Sequence, residues 1–260
     1  MNQEIKLITR ADDLGSTHST NLAIEKAIAN GFIKNVSVMA VGLFVEEAAE
    51  MFAKRNDICF GLHAAINSEW DQLKWGPVSD PSKVPSLVTD NGWFYPRTLD
   101  FYFHPPVIVE IMLEMQAQLD KLLHLGFNIR YVDFHMAPGR YVPSLGEAMR
   151  EWAAKNSLIN IGVYGTMACF YRPFPLYDEI SMLPGAFESV LKKLPAGQYI
   201  YVGHPALDTE ETRLCGEYNA YRRNKDTEFV SSPETMRLCE KYHVTPIRID
   251  QAEAPIVPVV

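Results

Sequence analysis

Two adjacent carboxylates, Asp12 and Asp13, follow a short apolar run over residues 5–9 near the start of the chain. Neighbouring aspartates repel each other, so they share a dry site only when a cation or a proton separates them. The plainer interpretation is an Asx-rich turn that caps a helix beginning near Ser19. The pair alone fits both a cation site and a helix cap. The choice between them depends on which other side chains lie at the same end of the sheet.

Three of the seven histidines directly follow apolar segments with the character of β-strands. His63 follows ICFGL, His135 follows IRYVDF and His204 follows QYIYVG. The carboxyl ends of parallel strands open onto one face of a β/α domain, so these rings and the acidic pair are expected to converge. One carboxylate with two imidazoles leaves coordination positions open on a metal, as catalysis requires. The pattern therefore favours a catalytic metal site. Structural roles are expected for the other four histidines, which are His18, His104, His124 and His243.

Alternating strands and helices must position these side chains. Strands are predicted over residues 5–9, 35–41, 58–62, 129–134, 159–164, 198–203 and 244–249, and helices between most of them. Residues 208–230 are polar and carry no clear pattern. The alternation predicts parallel β/α units, and functional groups at several strand ends favour a distorted TIM-like (β/α) barrel of about seven parallel strands. Residues 1–260 are expected to form this one α/β domain.

A long segment at about 64–105 interrupts the alternation. It contains Trp70, Trp75, Trp93, Phe94, Tyr95, Phe101, Tyr102 and Phe103. A loop of this length in a compact domain is usually functional. Its rings could stack on sugar faces, hold the loop onto the body or form a contact in a homodimer. Packing is the more frequent role for any one of them, and Trp93 and Tyr95 are the substrate-binding candidates.

Composition excludes several classes of function. A net charge of −8 over 260 residues argues against a nucleic-acid partner, which would need a basic surface. The chain shows neither a long apolar leader nor an apolar run of membrane-spanning length, so we expect a cytoplasmic protein with no membrane partner. No nucleotide-binding glycine motif follows the first strand. The four cysteines are far apart, which favours packing roles over disulfides, although Cys215 lies in a polar stretch.

Four motifs in order, ADDLG, GLH, VDFH and a late GHP, resemble the YdjC-like family of carbohydrate deacetylases. The resemblance covers most of the chain and implies a distorted (β/α) barrel holding one divalent metal ion, zinc or magnesium. It implies that Asp13, His63 and His135 bind the ion. By the same resemblance Asp12 is the general base, and His204 is a general acid or positioning group. Helix capping would then pass to Ser16 or Ser19.

The resemblance implies a hydrolase of carbohydrate metabolism that removes acetyl or other N-acyl groups from an amino sugar or small oligosaccharide. Residues 221–229 resemble the family's late Arg…Glu segment, which makes Arg223 a substrate-binding candidate beside Glu228. The sequence departs from the family's D-S-H-x-H pattern, because Phe134 replaces the serine and Ala137 the second histidine. That departure motivates an alternative, a sugar-binding or regulatory protein on the same scaffold. Two histidines and a carboxylate also occur in non-haem iron oxygen chemistry, a third option.

Overall fold

A parallel β-sheet forms the centre of the computed structural model, which describes residues 4–161, 172–173 and 184–253. Its strands are β1 (Ile5–Leu14), β2 (Asn35–Val38), β3 (Cys59–Ala64), β4 (Ile129–Phe134), β5 (Ile159–Asn160), β6 (Arg172–Pro173), β7 (Gly197–Gly203) and β8 (Val244–Ile247). The order is β5-β4-β3-β2-β1-β7-β6, and β8 also pairs with β1. This curled half-barrel confirms the predicted distorted TIM-like α/β fold. The strand β6 was not predicted, because two residues are too short to show a period.

Nine helices of the described chain accompany the sheet. They are α1 (His18–Ala29), α2 (Val45–Phe52), α3 (Asp100–Phe103), α4 (Ile108–His124), α5 (Leu145–Lys155), α6 (Pro184–Leu191), α7 (Glu210–Arg213), α8 (Glu217–Val230) and α9 (Pro233–Lys241). The sequence did not predict α3, α7 or α8. The buried face of α8 includes Arg223, Asp226 and Thr227, so it shows no apolar stripe to mark a helix. Of the predicted strand over 159–164, residues 162–164 lie outside the described part of the chain.

The first strand is longer than predicted and contains both aspartates. It continues to Leu14, whereas the predicted strand ends at residue 9, before Asp12 and Asp13. Its register against β2 shifts between Ala11 and Leu14, and Asp13 has a φ of 70°. Successive residues of a regular strand face opposite sides, so this irregularity allows two adjacent aspartates to serve one site. An aspartate tolerates the left-handed region better than most residues do.

Thr17 caps the first helix, so the helix-cap interpretation of the aspartate pair is wrong. The Thr17 hydroxyl accepts a hydrogen bond from the backbone N–H of Thr20 at 3.0 Å. The helix begins at His18, earlier than predicted, and neither Ser16 nor Ser19 provides the cap. The aspartates are therefore free for other roles.

One face of the sheet changes from apolar to charged along the strands. Alternate residues form three rows that run toward the carboxyl ends of the strands. The rows are Ile8, Arg10 and Asp12 on β1, Cys59, Gly61 and His63 on β3, and Tyr131, Asp133 and His135 on or just after β4. The first residue of each row, Ile8, Cys59 or Tyr131, packs in a small buried cluster with Ile200 and Ile249. Gly61 is required because a Cβ there would lie 2.1 Å from the Tyr131 ring. Apolar packing thus supports a charged layer at the carboxyl end of the sheet.

The long segment after β3 is held down mainly by its own aromatic residues and by α4. Its buried rings are Trp70, Trp75, Phe94 and Phe101, which confirms the packing role for these four. The buried carboxylate of Glu114 on α4 accepts hydrogen bonds from the backbone N–H groups of Val78 and Ser79 at 2.8 and 2.9 Å. Gln118, one helical turn later, bonds both the N–H and the carbonyl of Ala65. Side chains of α4 therefore fix two separate points of the segment.

Within the described residues, no helix has the length and apolar character needed to cross a lipid bilayer. Cys59, Cys215 and Cys239 are buried free thiols, in line with the predicted packing roles, and Cys169 lies outside the described residues. Cys215 is buried although its neighbours in sequence are polar. Burial raises the pKa of its thiol to about 12, so it is an inert packing group.

Candidate metal centre

Three ring and carboxylate atoms meet at the carboxyl end of the sheet. Asp13 Oδ1 lies 3.3 Å from His63 Nε2 and 3.2 Å from His135 Nδ1, and the two nitrogens are 3.2 Å apart. All three residues are buried. Ligand atoms about 2.1 Å from one tetrahedral ion are about 3.4 Å from each other, so this triangle has the dimensions of a metal site. The structure brings together the three residues named from the resemblance.

Asp13 presents one oxygen to the triangle and gives the other to an arginine. Its Oδ2 accepts a hydrogen bond from Arg223 Nη2 at 2.7 Å, while its buried Oδ1 has no hydrogen-bond donor. Burial alone would raise the pKa of Asp13, but Arg223 and the two imidazoles hold it well below its usual value. A buried, ionised oxygen without a donor is costly unless a cation binds it. The donor set therefore fits a divalent metal ion.

Each histidine of the triangle is held by a carboxylate on its other nitrogen. His63 Nδ1 lies 2.9 Å from Asp133 Oδ2, and His135 Nε2 lies 2.8 Å from Glu69 Oε1. A ring N–H that donates to a carboxylate leaves the opposite nitrogen with its lone pair free for a metal. In the metal-free protein burial would lower the pKa of His135, but the charges of Glu69 and Asp13 raise it to about 9, so a bound ion must displace a proton from the ring. The two rings are thus oriented through opposite nitrogens toward Asp13.

Arg10 lies two residues before Asp12 on the same face of β1 and binds its carboxylate. Its Nε and Nη2 donate to the two oxygens of Asp12 at 2.7 and 2.8 Å, and Nη2 also lies 3.0 Å from Asp133 Oδ2. The oxygens of Asp12 and Asp133 lie near His63 in a second arrangement that could hold an ion. The guanidinium already contacts both carboxylates of that second cluster and offsets one of their two negative charges. The triangle around Asp13 is therefore the better cation site.

His204 lies at the open side of the site. Its side chain is 45% exposed, and its Nε2 is 3.8 Å from Asp12 Oδ2. Its backbone N–H donates to the buried carboxylate of Asp226 on α8 at 2.7 Å. The ring thus adjoins both the aspartate that binds Arg10 and the solvent. That placement suits a group that exchanges protons with a substrate.

The substrate-binding candidates have different positions. Arg223 lies in the site, where it bonds Asp13 and stacks 5.0 Å over the Trp70 ring, so its first role is to hold Asp13. Tyr95 stacks on His104 at 4.8 Å, and Trp93 is 45% exposed. Arg223 therefore contacts a residue of the triangle, whereas the substrate-binding roles of Trp93 and Tyr95 stay predictions.

The remaining predictions near the site concern Glu228 and the other histidines. Glu228 is exposed and bonds Asn224 and Lys225, so Asp226 is the acidic residue of α8 that reaches the site. His18 bonds Glu47 at 2.7 Å and His104 packs on an aromatic ring, as expected of structural histidines.

Sequence reasoning missed four residues that support the site: Arg10, Glu69, Asp133 and Asp226. Two of these had a signal. Arg10 is two residues before Asp12, and Asp133 is two residues before His135, which places each pair on one face of a strand. Asp226 is three residues after Arg223, a spacing that indicates one helix face, but only once α8 is known to be a helix. Glu69 lies on a loop and had no such signal.

A family model and several relatives match most of this chain. The family model described as YdjC-like protein matches residues 6–241. A carbohydrate deacetylase of Thermoanaerobacter pseudethanolicus is 26% identical over 83% of this chain and 87% of its own length. One from Vibrio cholerae is 26% identical over 90% of this chain and 91% of its own length.

Two solved structures share the fold. A crystal structure from Enterococcus faecalis, of a protein proposed to cleave cellobiose phosphate, has a TM-score of 0.79 at 19% identity and covers 96% of this chain and 100% of its own. The catalytic domain of a peptidoglycan N-acetylglucosamine deacetylase from Eubacterium rectale has a TM-score of 0.54 at 8% identity, covering 98% and 94%. At these identities the likeness concerns the fold alone.

Proposed function

We propose that this chain, which belongs to the YdjC-like protein family, is a metal-dependent hydrolase that removes acetyl or other N-acyl groups from amino sugars or small oligosaccharides. The observation that carries the proposal is the triangle of Asp13, His63 and His135, with a buried carboxylate oxygen that lacks a donor. Asp12 and His204 lie beside it, as a hydrolytic reaction requires. The relatives named carbohydrate deacetylase support the substrate class.

Asp13 Oδ1, His63 Nε2 and His135 Nδ1 would hold the ion. Two imidazole nitrogens and one carboxylate suit zinc better than magnesium, which prefers oxygen ligands. Three protein ligands leave a position open, in contrast with the four of structural zinc sites. The chemistry that the ion supplies when bound is Lewis-acid polarisation of an acyl group and activation of water.

Asp12 is placed to act as the general base. It lies next to the ligand Asp13 in sequence but bonds Arg10 instead of the triangle. The guanidinium fork fixes the carboxylate plane and leaves further lone pairs on both oxygens. Asp12 can thus accept a proton from an attacking water while its orientation is held from below.

His204 is placed to protonate the departing amine. Its ring is half-exposed at the mouth of the site, and its Nε2 lies 3.8 Å from the base, Asp12. Asp226 holds the backbone of His204 at the same time. Because 3.8 Å is longer than a hydrogen bond, a proton taken up by Asp12 would pass to the ring through one bridging water.

The proposed function is tested by acetate release from N-acetylglucosamine oligomers of different lengths. The purified protein is expected to release acetate with zinc present, to lose this activity after removal of metal by a chelator, and to regain it when zinc is restored. Saturable binding of these sugars without acetate release under any added divalent ion would instead favour the sugar-binding alternative. Iron-dependent oxygen consumption would favour non-haem iron chemistry.

His204→Ala is expected to lower kcat by about 10²-fold without loss of bound metal. This effect is at the lower end of the range of about 10²–10⁴-fold for general acid catalysis. The His204 ring is half-exposed, so water can protonate the amine when the ring is missing. The measurement is acetate release together with zinc content after dialysis. Loss of zinc from this variant would contradict the assignment, since His204 is not part of the triangle.

A further inference from the structure

Glu69, on the long loop after β3, reaches back into the site. Both of its carboxylate oxygens lie within hydrogen-bond distance of His135 Nε2, at 2.8 and 2.9 Å. Its side chain is only 19% exposed. The sheet therefore supplies the carboxylate that orients His63, whereas a loop supplies the one that orients His135.

The loop holds Glu69 through a network of its own. The Asn67 amide donates to Glu69 Oε2 at 2.9 Å and to the carbonyl of Pro96 at 3.3 Å. The Trp75 indole donates to the Asn67 carbonyl at 2.8 Å, and its ring packs edge-on against His135 at 5.8 Å. Two loop residues thus contact one ring, Glu69 through a hydrogen bond and Trp75 through a T-shaped aromatic contact. The orientation of His135 is set by the loop.

An imidazole that ligates through Nδ1 must carry its proton on Nε2. In the neutral ring either nitrogen can hold the proton, and the hydrogen bond made by one nitrogen determines the choice. Glu69 accepts only from an Nε2–H, so it favours the form that leaves a lone pair on Nδ1 facing Asp13. The fully buried Asn67 donates a hydrogen bond to the Glu69 carboxylate and so restricts its rotation away from His135.

We propose that Glu69 is the positioning residue for His135, and that it couples the order of the loop segment 65–76 to metal binding. The inference rests on the proposed function, because it assumes that the triangle is the metal site. Coupling between two sites is reciprocal, so a loop that favours the ion must also be stabilised by it. Part of the aromatic segment would thus act as a support of the metal centre.

The test compares zinc affinities of purified, metal-free variants by competition with a chromophoric chelator. Glu69→Ala is expected to bind zinc 10–100-fold more weakly than the parent, the usual effect of losing such a carboxylate partner. Glu69→Gln keeps an acceptor for the Nε2–H but loses the charge, so it should retain more of the affinity. Asp71→Asn is the matched control, because it removes the same charge from an exposed position on the same loop. Its affinity should equal that of the parent.

Hydrogen exchange provides a readout that does not depend on activity. With every protein saturated by zinc, exchange over residues 65–76 should slow relative to the metal-free state in the parent and in Asp71→Asn, but much less in Glu69→Ala. Unchanged zinc affinity in Glu69→Ala, or equal losses in Glu69→Ala and Asp71→Asn, would overturn the inference. A parent that binds zinc but releases no acetate would overturn the proposed function alone, because the positioning role is measured by binding.

Discussion

Replacing His63 with alanine is expected to abolish zinc binding and to lower acetate release by on the order of 10³-fold or more. His63 Nε2 is one corner of the triangle, and the loss of one of three protein ligands leaves too few to retain an ion against a chelator. The substitution also leaves Asp133 without the imidazole that it orients. The measurements are zinc content after dialysis and acetate release at saturating zinc.

The control for this variant is His104→Ala. His104 is exposed and stacks on Tyr95, outside the triangle, so its removal should leave zinc content and turnover close to those of the parent. A thermal unfolding scan of both variants separates loss of the site from loss of the fold. Zinc that stays bound to His63→Ala in parental amounts would show that the ligand assignment is wrong.

Replacing Arg10 with methionine is expected to destabilise the metal-free protein by about 3–5 kcal/mol. Arg10 is buried between Asp12 and Asp133 and bonds both carboxylates. Methionine has a similar volume but carries no charge, so the variant would keep two neighbouring buried carboxylates without their cation. Leaving a buried charge unpaired is far more costly than losing an exposed ion pair. The free energy of unfolding is measured by urea denaturation with a chelator present, which prevents a bound ion from compensating.

The chain offers a matched control for this variant in a second pair with the same sequence spacing. Arg55 bonds Asp57 through the same fork, with distances of 3.0 and 2.6 Å, but on the surface. Arg55→Met should change stability by no more than about 1 kcal/mol. Arg10→Lys retains the positive charge but loses the two-pronged hydrogen bonding of the guanidinium. Its loss of unfolding free energy should therefore lie between those of Arg10→Met and Arg55→Met. Equal losses in Arg10→Met and Arg55→Met would contradict the role given to burial.

The structure confirms the fold class predicted from the alternation of strands and helices, because the period of apolar residues depends on local sequence. The strand over 129–134 has the predicted bounds for that reason. The helix α8 was missed because its buried face holds Arg223 and Asp226, and an apolar pattern cannot reveal a helix that buries charges. The expectations of one domain, a homodimer and a cytoplasmic location stay predictions.

The sequence by itself determined that Asp12, Asp13, His63, His135 and His204 lie at one end of a parallel sheet, since each lies at or just after the end of a strand. Only the tertiary structure decided which of these residues contact each other, and so which role each one can have. The irregular end of β1, with Asp13 at a φ of 70°, directs Asp13 to the histidines, while Arg10 holds Asp12. Glu69 joins them through a loop whose path depends on long-range packing. Local periodicity predicts which residues share a face, but atom-to-atom pairing is set by contacts between distant segments.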